Sequence, residues 1–261
     1  MAGNTRHVFF IFLSMQINWH NRFLQQATWT QDLRHYIYQR ADLDNARRVL
    51  EVGCGTGVIL AEMTQRTRAE VVGLDLDAER LQLSAQHVPK ARLVQADGQR
   101  LPFVDSAFDM AVCHFLLLWA KDPIQIVREM KRVTRQGGSV LALAEPDYGG
   151  RIDYPESLSI IGEWQQQSLR KQGTDTLIGR KLKGIFHQAG IKEIEAGVLG
   201  AQWSQVPSRE DIDLEWDVLR ADLENTFPKE AVEKIHSQDI NSWECGERIL
   251  FVPTFYAWGR A

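Results

Sequence analysis

The residues of this chain best placed to do chemistry form a short series in which polar groups follow apolar runs. The densest group is Glu51-Val52-Gly53-Cys54-Gly55-Thr56-Gly57, entered from the apolar run Val49 to Val52 and left through Val58-Ile59-Leu60-Ala61-Glu62-Met63. Glycines at alternating positions let the backbone take positive φ and let a ligand lie against main chain with no Cβ in the way. A helix starting behind such a turn offers unpaired N–H groups. This is the chemistry of a nucleotide-type loop, but the spacing is G-x-G-x-G. The dinucleotide fingerprint G-x-G-x-x-G is absent, which argues against a nicotinamide-dependent oxidoreductase. Asp75 stands 24 residues after Glu51, at the end of Val71-Val72-Gly73-Leu74. A carboxylate at a strand end can accept both hydroxyls of a ribose. Asp97-Gly98 follows the short strand pattern Arg92-Leu93-Val94-Gln95, and His114 follows Met110-Ala111-Val112-Cys113.

Leu50-Glu51-Val52-Gly53-Cys54-Gly55-Thr56-Gly57 resembles motif I of the class I S-adenosylmethionine (SAM)-dependent methyltransferases, in particular the UbiE/methyltransferase-11-like group. The resemblance implies that Glu51, Gly53, Cys54, Gly55 and Gly57 curl around the methionine end of SAM. It makes Asp75 the ribose ligand, with Leu76 packed on the adenine. Asp97 would accept from the adenine amine while the Gly98 N–H donates to the ring. His114 falls near the sulfonium, either presenting its carbonyl to the SAM ammonium or acting as general base, since histidine titrates near neutrality. Helices ahead of motif I often lie over the pocket in this superfamily. Trp29 and Arg34 therefore either touch cofactor or substrate, or serve as core and surface charge.

Those residues need a scaffold of alternating strands and helices. Residues 16–40 carry Trp19, Phe23, Trp29, Leu33, Tyr36 and Ile37 at spacings of one or two amphipathic helices. Asp77 caps the helix after the second strand. Pro123 to Thr134 reads as a helix with its proline early and its basic residues late. Gly137-Gly138 turns into the strand Ser139 to Ala144. After it comes Glu145-Pro146-Asp147-Tyr148-Gly149-Gly150-Arg151-Ile152-Asp153-Tyr154, too polar for core and the expected place of substrate contact. Glu145, Asp147, Tyr148 and Tyr154 are candidates for orienting or deprotonating a nucleophile, against a role in loop hydrogen bonds. Helices are expected over 156–171 and 175–189, a strand over 191–199, and extra helices over 207–248. Ile212, Trp216, Leu219 and Leu223 make one apolar stripe, expected to pack on the main domain. Trp164, Trp203, Trp216 and Trp243 are wall or core.

With 261 residues the chain is one large domain or a domain plus a cap. A net charge of −4 gives no general attraction to nucleic acid or anionic lipid. Residues 208–248 hold 12 acidic and 5 basic residues, an acidic cap that argues against RNA or DNA. Cys54, Cys113 and Cys245 match no metal spacing and fit a reducing compartment. Val8 to Leu13 is short for a signal or membrane segment, so an apolar arm is expected, with Met15 a plausible start. No Asn/Asp-Pro-Pro-Tyr/Phe or Pro-Cys motif occurs, against adenine-N6, glutamine or cytosine-C5 chemistry.

The expected fold is α/β: a Rossmann-like seven-stranded, mostly parallel sheet with an antiparallel last strand and helical lid insertions. Residues 1–40 form an N-terminal arm and lid helices, and 41–261 the methyltransferase domain, with insertions at 146–174 and 200–249. The expected function is methyl transfer from SAM to an O, N, S or C atom of a small organic substrate, releasing S-adenosylhomocysteine (SAH). His114, Asp147 and Tyr148 are the catalytic candidates, with no metal. The expected protein is a cytoplasmic monomer or homodimer without nucleic-acid or membrane partners. The alternatives are a protein or tRNA methyltransferase, or a non-catalytic SAM-binding protein.

Overall fold

The computed structural model describes residues 18–200, 206–224 and 226–261, so residues 1–14 and Trp203 lie outside the described residues. Seven strands form one sheet: β1 (Arg48–Val52), β2 (Glu70–Asp75), β3 (Arg92–Gln95), β4 (Phe108–Cys113), β5 (Thr134–Pro146), β7 (Lys192–Val198) and β9 (Thr254–Arg260). Their order is β3-β2-β1-β4-β5-β9-β7. The first five are parallel; β9 runs antiparallel to both β5 and β7. The expected sheet is therefore present.

Side-chain alternation explains why it is buried on both faces. Val49, Met110, Val112, Leu141 and Leu143 point into one core with α2 (Gln31–Ala41) and α3 (Val58–Arg66). Leu50, Val52, Ala111, Cys113, Val140 and Ala142 point into the other, with α5 (Pro123–Val133) and α7 (Ile178–Gln188). Local signals set the helix starts. Asp77 accepts from the Glu79 and Arg80 amides to begin α4 (Ala78–His87), and Asp122 accepts from the Gln125 amide beside Pro123.

Two expectations are corrected. The Gly137-Gly138 turn is part of β5, which begins at Thr134. Gly137 takes φ +74, a Cβ on Gly138 would lie 2.6 Å from the Asp109 carbonyl oxygen, and the β4–β5 register shifts there. The pair is thus a bulge within the strand. The apolar stripe of α8 (Arg209–Leu223) does not pack on the main domain either. Ile212, Trp216, Leu219 and Leu223 join Leu158, Ile161 of α6 (Ser159–Lys171) and Val232 of α9 (Lys229–Glu244) in a separate third core.

A buried ion chain fastens that cap. Arg151 pairs with Asp153 at 2.6 Å, and Arg248 with both Asp153 and Asp239, each at 2.6 Å. The Trp216 indole donates to Asp239 at 2.8 Å. The short strands β6 (Ile152–Tyr154) and β8 (Ile249–Phe251) pair antiparallel beneath it. Trp216 is core, and Trp164 stacks on Phe227. Among the described residues no helix is long and apolar enough to cross a membrane.

Candidate functional site

The sheet order reverses between β1 and β4, and ligands of open α/β sheets gather outside the carboxyl ends at such a point. Val52 pairs in register with Cys113, so the residues that follow, Gly53 and His114, leave the sheet side by side. The glycine turn is built as its residue types require. Gly53, Gly55 and Gly57 have φ of +76, +51 and +85. The amides of Gly53 and Cys54 both donate to the Leu74 carbonyl, at 2.7 and 2.9 Å, and Gly55 donates to Asp75 Oδ2 at 2.8 Å. Cys54 is buried beneath the turn.

Glu51 and Asp75 are both buried at these strand ends. Burial, and then the charges of Asp75 and Glu62, push the Glu51 carboxyl up to about 8 against the opposing pull of Arg34. Glu51 Oε2 is enclosed and has no hydrogen-bond partner. An unsatisfied buried acceptor beside a glycine turn suits a cationic group, such as the ammonium of the SAM that motif I implies. The residues present therefore fit that cofactor at its methionine end. At the other end, Leu76 is 55% exposed at the rim. Asp97 is exposed and accepts from the Gln99 amide at 2.8 Å. Gly98 lies close to Val52, where a Cβ would come within 3.0 Å of Cγ1.

Helix α1 (Trp19–Trp29) lies across the turn. His20 Nδ1 is 2.9 Å from Thr56 Oγ1, and the His20 ring stacks on His87 at 3.6 Å. Phe23 sits over Gly55, where a Cβ would meet its ring at 3.0 Å. On its other side α1 holds the cap: Arg22 pairs with Glu215, and Gln25 donates to the Asp211 carbonyl at 2.8 Å. Trp29 is 54% exposed with the Arg22 guanidinium 4.7 Å from its ring centre. Arg34 is not a surface charge. It is buried, donates to both oxygens of Glu62, to the Ala27 carbonyl and to Thr30 Oγ1, and so reaches the site through its neighbours.

His114 sits at the end of β4 with Nε2 3.0 Å from Thr30 Oγ1 and its ring edge-on to Phe115. Burial, then the Arg34 charge, hold its imidazole well below the ordinary histidine range. That direction keeps the ring neutral and leaves it a weaker base than a free imidazole. Glu145 is fully buried and accepts from the amides of Leu116, Leu117 and Leu118 at 2.9, 2.8 and 3.2 Å. It shapes the turn that follows His114, with burial pushing its carboxyl up to about 7. Both oxygens of Asp147 are taken by Arg180, at 2.5 and 2.7 Å, which leaves this carboxylate holding the 147–150 turn. Tyr148 is half-buried on the main core, and burial pushes its phenol up to about 12 while Arg22 of α1, Asp222 and Glu215 of α8, and Arg151 act on it. Tyr154 is exposed.

Thr30, Glu62 and Asp222 are site neighbours that the sequence reading did not single out. Thr30 is an N-cap type of residue between two helical patterns, the one local signal available. Its hydroxyl makes no cap bond and turns to His114 instead. Among the described residues there is no His/Cys/Asp/Glu cluster able to hold a metal ion.

Residues 50–142 match the family described as "Methyltransferase domain". A demethylmenaquinone methyltransferase of Geobacillus kaustophilus is 28% identical over 200 residues, covering 66% of this chain and 81% of that one. The methyltransferase GfsG of Streptomyces halstedii is 32% identical over 123 residues, covering 45% of this chain and 44% of the relative. The chain spans about half the length of the first curated relatives it matches. The crystal structure of the YcgJ protein of Bacillus subtilis superposes with a TM-score of 0.58 at 18% identity, covering 88% of this chain and 98% of that one.

Proposed function

We propose that the chain is a class I SAM-dependent methyltransferase that methylates an O, N, S or C atom of a small organic acceptor, releasing SAH; the match of residues 50–142 to the methyltransferase domain and the likeness to a demethylmenaquinone methyltransferase support this reading. The observation that carries this reading is the unpartnered Glu51 oxygen beside three positive-φ glycines at the β1–β4 switch point.

Glu51, Gly53, Cys54, Gly55 and Gly57 would hold the methionine end of SAM, Asp75 and Leu76 the ribose and adenine, and Asp97 and Gly98 the far edge of the base. When bound, SAM supplies a methyl group already activated by its positive sulfur. What remains for the chain is to align the acceptor, exclude water and take up a proton. His114, neutral at the mouth of the glycine turn, takes the proton. Tyr148, half-buried between the sheet edge and the cap, orients the acceptor. Helix α1 and the α6–α8–α9 cap enclose the space between them. Trp29, exposed at the end of α1, is the aromatic offered to cofactor or acceptor on that side. The net negative charge of the cap supports a small acceptor over a nucleic acid.

The test is calorimetric titration with SAM, SAH and NAD, followed by a panel of small phenols, amines and carboxylates read by SAH release. Micromolar binding of SAM and SAH with none of NAD supports the reading. A folded protein that binds neither SAM nor SAH overturns it.

A further inference from the structure

We propose that Thr30 is a positioning residue that holds His114 as its Nε2–H tautomer and so leaves the Nδ1 lone pair for the methyl acceptor's proton. What Nδ1 receives rests on the methyltransferase reading above; the tautomer itself does not.

The assignment comes from counting hydrogens around one oxygen. Thr30 Oγ1 has three polar neighbours: the Gln26 carbonyl oxygen at 3.0 Å, an Arg34 guanidinium nitrogen at 2.5 Å and His114 Nε2 at 3.0 Å. A hydroxyl has one hydrogen to give and two lone pairs. Arg34 can only donate, so it occupies one lone pair. The Gln26 carbonyl can only accept. Helix α1 stops at Trp29, and the Thr30 amide turns to the Thr28 carbonyl instead of continuing the ladder to Gln26. The Gln26 carbonyl is therefore a helix-end acceptor that depends on the Thr30 hydroxyl hydrogen. The hydroxyl has one lone pair left, and it faces Nε2. Nε2 must supply the hydrogen, which places the imidazole lone pair on Nδ1. The opposite tautomer would set two lone pairs against each other, or strip the Gln26 carbonyl of its donor.

The remaining geometry keeps this arrangement rigid. Arg34 is locked by both Glu62 oxygens and the Ala27 carbonyl. Glu62 belongs to α3, the helix that begins directly behind the glycine turn. The imidazole is thus referenced through Thr30, Arg34 and Glu62 to the element that carries the cofactor turn. Among the described residues Nδ1 has no protein hydrogen bond, and it is not one of the enclosed unpartnered atoms, which include Glu51 Oε2 and Tyr38 Oη. The ring is partly buried, with no protein group hydrogen-bonded to that nitrogen. In the transfer, the acceptor's X–H electron pair stays on X and forms the bond to the methyl carbon, whose bonding pair to sulfur goes to sulfur. The proton adds to Nδ1, and the resulting imidazolium keeps its Nε2–H on Thr30 until it returns the proton to water.

Long-range proton–nitrogen correlation spectra of the 15N-labelled full chain read the tautomer directly, with His114→Gln identifying the ring. The wild type should show Nε2 protonated and Nδ1 bare. Thr30→Val, which keeps the shape and removes the hydroxyl, should bring in the Nδ1–H form, and Thr30→Ser should restore the wild-type pattern. SAH titration, within about twofold of wild type, certifies each variant as folded. Once an acceptor is identified, Thr30→Val should lower kcat by about 10–100-fold with the KM for SAM unchanged. A protonated Nδ1 in the wild type, or an unchanged tautomer in a Thr30→Val variant that still binds SAH, overturns the proposal. If Thr30→Val does not fold, the wild-type and Thr30→Ser spectra decide it. Failure of the wild type to bind SAH would overturn the methyltransferase reading and leave the tautomer result standing.

Discussion

The amide of Gly55 donates to Asp75 Oδ2 at 2.8 Å, so the carboxylate at the end of β2 braces the turn at the end of β1. Its other oxygen accepts from the Asp77 amide at 3.0 Å, at the entrance to α4. One side chain thus joins the two elements that would grip opposite ends of the cofactor. Its carboxylate lone pairs number enough to serve a ribose as well as these two amides.

Asp75→Ala should therefore weaken SAH binding at least tenfold, about 1.4 kcal/mol, by losing the ribose contact and loosening the turn. Calorimetry measures this, and circular dichroism checks the fold. An affinity equal to wild type would remove Asp75 from the site.

Gly57 should not tolerate a side chain. Its φ is +85, and a Cβ there would lie 2.5 Å from Ser84 Oγ and 3.2 Å from Val88 Cγ2. Gly57→Ala should cost roughly 1–3 kcal/mol, seen as a lower Tm. Adding Ser84→Gly relieves the closest contact but not the backbone strain, so the double variant should recover only part of the loss. Full recovery would show that φ carries no cost.

Glu51 makes stability depend on pH in a defined direction. An unfolded glutamate titrates near 4.3, whereas burial pushes the folded carboxyl up to about 8. Between those values the native state keeps a proton that the unfolded chain has lost. Stability falls as pH rises through that window and levels off above it, by on the order of a few kcal/mol. Glu145, pushed up to about 7, adds a slope of the same sign. Glu51→Gln should flatten the Tm–pH curve and raise Tm at pH 8; a Tm at pH 8 below wild type would contradict the assignment. A cation bound beside Glu51 lowers its pKa, so SAM binding at pH 7 should release protons. Titrations in buffers of different ionisation enthalpy detect that release.

The Arg22–Glu215 pair is the charged clamp between α1 and the cap, and Arg22 is buried. Removing one partner of a buried pair strands the other, at about 3–5 kcal/mol. Glu215→Gln should accordingly speed hydrogen exchange across 209–223 more than across β1 or β4. Replacing both, as Arg22→Met with Glu215→Met, should reverse most of the effect. Equal exchange in the single variant and the wild type would mean that the cap is held by its third core and ion chain alone.

Much of the scaffold could be read along the chain because its causes are local. Alternating apolar residues in β1, β4 and β5 define both faces of the sheet. Glycine spacing defines the turn, and Asp77, Asp122 and Pro123 define helix starts within a few residues of themselves. The series Glu51, Asp75 and Asp97 could be proposed for the same reason: all three lie at or just beyond the carboxyl ends of β1, β2 and β3, and parallel strands bring those ends to one edge.

Other properties existed only once the chain had folded. The helical stripe of α8 specified a helix but not its partner, and the third core with α6 and α9 settled that. Asp147 read as a catalytic candidate or a loop hydrogen-bonder, and Arg180, 33 residues away, takes both its oxygens. Arg34 read as a surface charge or a ligand and proved to be a buried brace. Thr30 and His114 lie 84 positions apart, and no local pattern announces their contact. A hydrogen bond of that span depends on how α1 and α2 dock against β4. A sequence can state which side chains are able to hold a proton; only packing decides which of them has a lone pair left to do it.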